Sequence, residues 1–441
     1  MATGIPKGYR SLNLPSLRLD YQNKAPASEI LQTPPAEIER LWEFGSEQTA
    51  PNRLYFSENL GALAALLSDS SVCGQVRLVY IDPPFATKSV FQSRTLNHAY
   101  DDVLHGEEFI EFLRKRLILL RELLIEDGSI YVHLDEKMVF HIKVIMDEIF
   151  GIENYRNCIT RKKCNPKNYT RKKYGNISDY ILFYTKSDSY VWNRPVEKWT
   201  EARAKEYQYI EPETGRRFMK VPVHAPGIRH GATGEPWRGK MPPTGKHWQF
   251  PPDKLDEFDA RGEIFWSSNG NPRRKVYLDE NAGIGVQDIW MDYKDAHNQN
   301  IKITGYPTEK NPELLKRIIE ASSNAGDLVL DCFSGSGTTL AAASLLNRHW
   351  IGIDNSREAI KTTLVRFSKG TEAMGDFVNG NRAQTDQQEG LSFDFEPVRP
   401  KVSAHDPIKD FNLFAECSLS SLLDEPAKHP ACHLAAAVAT A

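Results

Sequence analysis

With 441 residues, 40% of them hydrophobic and 26% charged, the chain has material for two or three domains and a sizeable core. No apolar run approaches the roughly 18 residues of a membrane-spanning helix, and Met1 to Asp20 is polar with no signal-peptide core, so a cytoplasmic protein with no membrane partner is expected. The formal net charge of −3 does not suggest nucleic acid, and six scattered cysteines read as reduced thiols, not as disulfides or a metal site.

In chain order, residues 1–50 are proline-containing and weakly periodic, and are expected to form an N-terminal arm. A helix is predicted over 59–67, followed by an apolar strand over 78–81. Residues 86–105 carry no pattern and are expected to form an active-site loop. Helix 107–124, strand 129–134, helix 137–150 and strand 180–185 continue the alternation, which implies a parallel α/β sheet. Between 187 and 300, proline, glycine and tryptophan become frequent and periodicity fades, which predicts an inserted lobe. Alternation resumes with helix 312–322, strand 328–330, helix 339–346 and strand 350–353. Residues 371–441 are expected to be a polar C-terminal extension.

Two motifs carry chemistry. Asp82-Pro83-Pro84-Phe85 follows the 78–81 strand, so its carboxylate stands at a strand's carboxyl end, where open parallel sheets bind ligands. The two prolines fix the backbone and remove two N–H donors. The remaining carbonyls, the carboxylate and the aromatic ring suit a planar group bearing an amino. The second motif, Asp331-Cys332-Phe333-Ser334-Gly335-Ser336-Gly337-Thr338, is a strand, a glycine turn and a helix start. It lacks the third glycine of a dinucleotide fingerprint, which argues against a pyrophosphate. The next strand ends in Asp354, placed to bond ribose hydroxyls, so the half-site suits a nucleoside such as S-adenosylmethionine.

Charge is also unevenly distributed. Arg161, Lys162, Lys163, Lys167, Arg171, Lys172 and Lys173 are clustered with Tyr169 and Tyr174 among them, and Arg273, Arg274 and Lys275 lie beside Tyr277. Basic runs with aromatics suit phosphate contact and base stacking.

Together these segments resemble the β group of amino-group DNA methyltransferases, in which the catalytic motif precedes a variable region and the cofactor loop comes last. Tyr306-Pro307-Thr308-Glu309-Lys310-Asn311-Pro312 resembles the family's segment ahead of that loop. Tyr55-Phe56-Ser57-Glu58-Asn59-Leu60 resembles the segment before the catalytic strand, although Ser-Glu stands where many members have Gly-Asp. The stretch 262–279 is similar to the variable region of methyltransferases related to type III restriction modification subunits. The resemblance covers about residues 50–370.

It implies a Rossmann-like, S-adenosylmethionine-dependent α/β methyltransferase sheet in permuted order. The expected parts are a catalytic half (51–186), a target-recognition domain (187–300) and a cofactor-binding half (301–370). The implied activity is transfer of a methyl group to N6 of adenine in double-stranded DNA, within a restriction–modification or related bacterial system. Asp82 and the Pro83 carbonyl would hold the amino group, with Pro84 stiffening the turn and Phe85 stacking on a flipped base. Asp331, Phe333, Ser334, Gly335, Gly337, Thr338, Asp354 and Glu58 would form the cofactor site, with Lys310 near the methionine carboxylate. Arg161, Lys162, Lys163, Lys172, Lys173, Arg273, Arg274 and Lys275 would face DNA. A homodimer and a restriction subunit are left open as partners. Cytosine N4 is the alternative target, although family members acting on it more often carry Ser before Pro-Pro. A DNA-binding protein with a decayed methylase site is the alternative of another class.

Overall fold

The computed structural model describes residues 17–44, 52–84, 90–92, 98–101, 106–166, 172–197, 204–278, 283–295, 302–303, 309–369, 372–373 and 410–423. They divide into two compact units, one running to Asn193 and resuming at Gln287, the other Arg194–Val286. Among them no helix is long and apolar enough to cross a membrane.

The larger unit is built on one sheet. Its strands are β1 (Ile38–Phe44), β2 (Asn52–Phe56), β3 (Val76–Ile81), β4 (Leu124–Leu134), β5 (Tyr155–Lys162), β6 (Ser178–Thr185), β7 (Ile289–Trp290), β8 (Leu328–Asp331), β9 (His349–Asp354) and β10 (Phe411–Glu416). Its principal helices are α1 (Asn59–Leu67), α2 (Glu107–Leu123), α3 (Val139–Phe150), α4 (Pro312–Ser322), α5 (Thr338–Leu345) and α6 (Arg357–Lys369). The strand order is β1-β10-β2-β9-β8-β3-β4-β6-β5-β7. From β10 to β4 every neighbour is parallel, whereas β6 runs antiparallel to both β4 and β5.

Val76-Arg77-Leu78-Val79-Tyr80-Ile81 forms the central β3 because its β-branched and aromatic residues fill both faces of a pleat. Val79 and Ile81 join the core under α1, α2 and α3. On the other face the Tyr131 hydroxyl bonds Ser322 at the end of α4, at 2.7 Å. Helices on both faces of a parallel sheet make the doubly wound α/β fold that the alternation predicts.

Three expectations are corrected. The N-terminal arm is part of the sheet: β1 pairs antiparallel with β10, and Leu19, Tyr21 and Ile38 pack on the main core. The C-terminal extension contributes β10, which lies between β1 and β2. The lobe is narrower than 187–300, because Asn193 donates to the carbonyls at the end of α4 and Ile289–Trp290 pairs with β5.

The smaller unit carries a four-stranded antiparallel sheet ordered Tyr209–Ile210, Arg217–Pro222, Pro272–Tyr277, Ile264–Trp266. Its core joins Val223, Trp237, Trp248, Leu255, Phe258 and Ile264. Trp237 stacks on Trp266 at 5.2 Å and donates its indole N–H to Asp256 Oδ1 at 2.9 Å. These tryptophans are the lobe's core, with each buried N–H given a partner.

Candidate active site

β3 and β8 are neighbours running in the same direction, with Val79 opposite Leu330. The Asp-Pro-Pro turn after β3 and the glycine turn after β8 therefore emerge side by side at the carboxyl edge. This is the topological switch point, where the chain's two halves meet.

Asp82 is mostly buried, with its side chain 17% exposed. Its Oδ2 is ion-paired with Lys310 Nζ. Its Oδ1 is buried and accepts no hydrogen bond among the described residues. His133 Nδ1 lies 3.9 Å from it. A buried carboxylate oxygen with nothing to accept is costly, and such an atom marks a place where a donor from outside belongs. Pro83 is buried and Pro84 partly so. Phe85, Tyr306, Pro307 and Thr308 lie outside the described residues, as do Lys167, Tyr169, Arg171 and most of 86–105.

The glycine turn is built by its acids. Asp331 accepts the Phe333 N–H at 3.0 Å and the Thr339 hydroxyl at 2.6 Å. Burial pushes its carboxyl up to about 7 against those two bonds, with Asp82 and Asp354 adding to the rise. Asp354, at the end of β9, accepts from the backbone N–H of Gly335 and of Ser356, each at 2.8 Å. Burial raises it to about 6, opposed by those amides and by that of Asn355. Gly337 sits at φ 73°, and a Cβ there would lie 2.7 Å from the Thr363 side chain, so only glycine fits. Ser334 is buried with a hydroxyl that has no hydrogen-bond partner among the described residues, and Thr338 is tied through Arg366 to Ser336 and buried Glu309. Phe333 faces Phe112, ring centroids 6.0 Å apart.

Glu58 caps α1, accepting from the N–H of Leu60 at 2.8 Å and of Gly61 at 3.1 Å, while its other oxygen meets Arg116. Its described bonds are those of a helix cap. Asn59 holds the carbonyl of Cys332 at 2.8 Å, fixing the strand end that leads into the loop.

The basic runs separate. Arg161 does not face solvent, contrary to expectation. It lies on β5, fully buried, bonded to Asp179 at 2.8 Å, Asp295 at 2.7 Å and the Tyr293 carbonyl at 2.8 Å. A strand alternates its sides, so one residue of a basic run on it is turned inward. Lys162 and Lys163 are partly exposed, and Lys172 and Lys173 exposed. On the lobe Arg273 is exposed, but Arg274 packs on Phe258 and Lys275 is ion-paired with Glu211 at 2.8 Å.

Sequence reading missed His133, Asp179 and Tyr80. His133 is fully buried, with Tyr80 Oη 2.9 Å from Nδ1 and Asp179 Oδ2 3.0 Å from Nε2. The available signal was a lone histidine in the apolar strand Ile130-Tyr131-Val132-His133-Leu134, beside the strand that ends in Asp82.

The family model for N6/N4-type DNA methylases matches residues 76–365. The chain is 47% identical over 403 residues to the type II methyltransferase M.EcaI of Enterobacter cloacae, covering 90% of this chain and 86% of that one. It is 27% identical over 338 residues to the type II methyltransferase M.KpnI of Klebsiella pneumoniae, covering 70% and 80%. It is 26% identical over 417 residues to the EcoP15I Mod subunit, from a type III restriction–modification enzyme of Escherichia coli, covering 76% and 63%. A family match across both the strand that bears Asp82 and the glycine turn, in one reading order, makes this chain a member of the DNA methylase family, a DNA methyltransferase.

Proposed function

We propose that the chain methylates N6 of adenine in double-stranded DNA, using S-adenosylmethionine, as the modification enzyme of a restriction–modification system. The observation that carries this reading is the unbonded, buried Oδ1 of Asp82 beside the glycine turn. A fixed anionic acceptor at a strand end suits an exocyclic amino group, whose two hydrogens need acceptors.

The residues of the turn fit the cofactor. The N–H groups of Phe333 and Gly335 are already taken by Asp331 and Asp354. They are not free to cradle a phosphate, and two acids there would repel one. What remains suits an uncharged, hydroxyl-bearing nucleoside: the carboxylate of Asp354, the Ser334 hydroxyl and the Phe333 ring. When bound, S-adenosylmethionine supplies an electrophilic methyl group.

The chain's own groups then do the rest. Asp82 accepts one amino hydrogen and the Pro83 carbonyl the other. Two acceptors on one side favour a pyramidal nitrogen and turn its lone pair towards the methyl group. The rate gain comes from positioning and from charge already in place. The rigid Pro83-Pro84 turn holds both acceptors without reorganisation. A base inside a duplex cannot reach a strand end at the sheet's edge, so the nucleotide is flipped out. Target reading belongs to the lobe, with Arg273, Lys162, Lys163, Lys172 and Lys173 on phosphates.

The test is modification-sensitive sequencing of DNA from cells expressing the chain, with nucleoside mass spectrometry. N6-methyladenine at one sequence is the expected result. N4-methylcytosine would overturn the choice of base, and unmodified DNA would overturn the activity.

A further inference from the structure

The face of the sheet beneath Asp82 carries a row of buried ionisable groups that neither the fold nor the proposed chemistry accounts for. Tyr80 and Asp82 leave the same side of β3. His133 follows on β4, Asp179 on β6 and Arg161 on β5, with Asp295 beyond. His133 and the Arg161 side chain are fully buried and the Asp179 side chain is 3% exposed. Burial by itself would raise Asp179, but His133 and Arg161, with Lys310 further off, hold its carboxyl well below the usual range.

Such a row is a poor device for stability. Buried ion pairs replaced by apolar residues of similar volume commonly leave stability unchanged or higher. What the row provides is direction. Tyr80 holds one nitrogen of the His133 ring and Asp179 Oδ2 lies 3.0 Å from the other, a pair of neighbours that favours one orientation of the ring. Arg161 holds Asp179 in turn, and is itself tied on two further sides by Asp295 and the Tyr293 carbonyl. Nδ1 of the ring then stands 3.9 Å from Asp82 Oδ1. Lys310 closes the opposite side, on Oδ2.

We infer that Tyr80, His133, Asp179 and Arg161 are a positioning array for Asp82, fixing the direction in which its free oxygen meets the target amino group. The inference rests on Asp82 being the amino acceptor. Tyr80, His133 and Asp179 are assigned to act through Asp82, so they are positioning residues and not catalytic ones.

Loss of the array alters the rate of transfer and leaves binding alone. A misplacement of about 1 Å at a reacting group costs roughly 100-fold in rate. His133→Gln and Asp179→Asn are therefore expected to lower the single-turnover methyl-transfer rate at saturating DNA and S-adenosylmethionine by about 10- to 100-fold. Tyr80→Phe, which removes one hydroxyl, should lower it by several-fold. Cofactor affinity by calorimetry and DNA affinity by anisotropy should stay within about twofold of the parent. Base flipping, read by 2-aminopurine fluorescence at the target position, should persist. A folded His133→Gln variant with the parent's rate would overturn the inference. So would a loss confined to KM or to affinity. If His133→Gln and Asp179→Asn do not fold, Tyr80→Phe decides, and an unchanged rate there overturns it too. Asp82→Ala separates this inference from the reading it rests on. Activity surviving in Asp82→Ala sinks the amino-acceptor assignment, whereas an inactive Asp82→Ala beside fully active array variants sinks the array alone.

Discussion

Three acids end three strands at one edge of the sheet, and they are used in opposite ways. Asp331 and Asp354, the last residues of β8 and β9, give their oxygens to the turn itself, accepting from Phe333, Thr339, Gly335 and Ser356. Asp82, after β3, keeps an oxygen that nothing among the described residues uses. The local context is alike in all three: a buried β-strand and then an acid. The difference lies in the residues just beyond the acid. Glycines and small residues fold back and deliver N–H groups to a carboxylate, whereas Pro83 and Pro84 have none to deliver. A proline pair after an acid is thus a physical way of leaving that acid available.

If that contrast holds, its largest consequence is at Asp82. Replacing Asp82 by Ala should lower methyl transfer by on the order of 10²–10⁴-fold, the range of a lost positioned acid–base group. Cofactor affinity should stay near the parent's, because no hydrogen bond of the glycine turn depends on this side chain. Tritiated-methyl incorporation into DNA, with calorimetry of the cofactor, checks both halves, and parent-level turnover would refute the assignment.

Asp354→Ala should do the reverse, weakening cofactor binding. Losing hydrogen bonds to a charged acceptor removes about 1.5–3 kcal/mol, or about 10- to 150-fold in Kd. Saturating cofactor should restore much of the rate. A calorimetric Kd equal to the parent's would mean that Asp354 serves the turn alone.

Asp331 bears on stability through pH. Its carboxyl rises from 3.8 to about 7 in the folded chain, so the native state binds that proton more tightly than the unfolded one. The stabilising contribution is complete below about pH 4 and is lost as pH rises through about 7. Asp331→Asn should therefore flatten the fall in melting temperature between pH 5 and pH 7.5 (a range set by about those two pKa values). Asp354, shifted the same way to about 6, leaves part of the slope in place. Parallel curves for variant and parent would remove Asp331 from the account.

The smallest effect concerns the basic run on β5, where the same contrast between spent and available groups recurs. Lys162→Gln with Lys163→Gln should reduce the salt dependence of DNA binding by about 0.9 of log–log slope per lost phosphate contact. The preferred sequence should not change, since phosphate contacts position and base contacts specify. Arg161→Ala belongs to a different class. It strips buried Asp179 of one of its two charged neighbours, and its expected result is a destabilised fold. A shallower salt slope from a folded Arg161→Ala, with none from the two lysines, would invert the assignment.

Most of the parallel sheet was legible because its signals are local. The helix predicted at 59–67 coincides with α1, and the turn at 331–338 carries its glycines where positive φ is required. Strand pairing is not local, and the misreadings arise from that. Phe411-Asn412-Leu413-Phe414-Ala415-Glu416 is a short apolar run whose partners, β1 and β2, stand at the other end of the sequence. Arg161 reads as surface charge until Asp179 and Asp295 come to it from β6 and from beyond β7. His133 has the same difficulty, for its meaning depends on Asp82, which is brought beside it by sheet register. The tryptophans of 187–300 mark a change in composition, but Trp192 and Trp290 fold with the larger unit.

The place of β10 has a bearing on how the chain is made. β1 and β2 are separated by a short connection, yet they do not pair with each other. Each pairs with β10, and the side chain of Asn52 reaches a carbonyl 358 positions later in the sequence. Until residues 411–416 leave the ribosome, β2 has an open edge and β1 has nothing to pair with. Contacts of such separation form late, because the loop they close must be ordered first. An unfinished chain therefore displays a bare strand edge, the feature that invites aggregation and proteolysis. Closure of this edge of the sheet is thereby coupled to the arrival of residues 411–416.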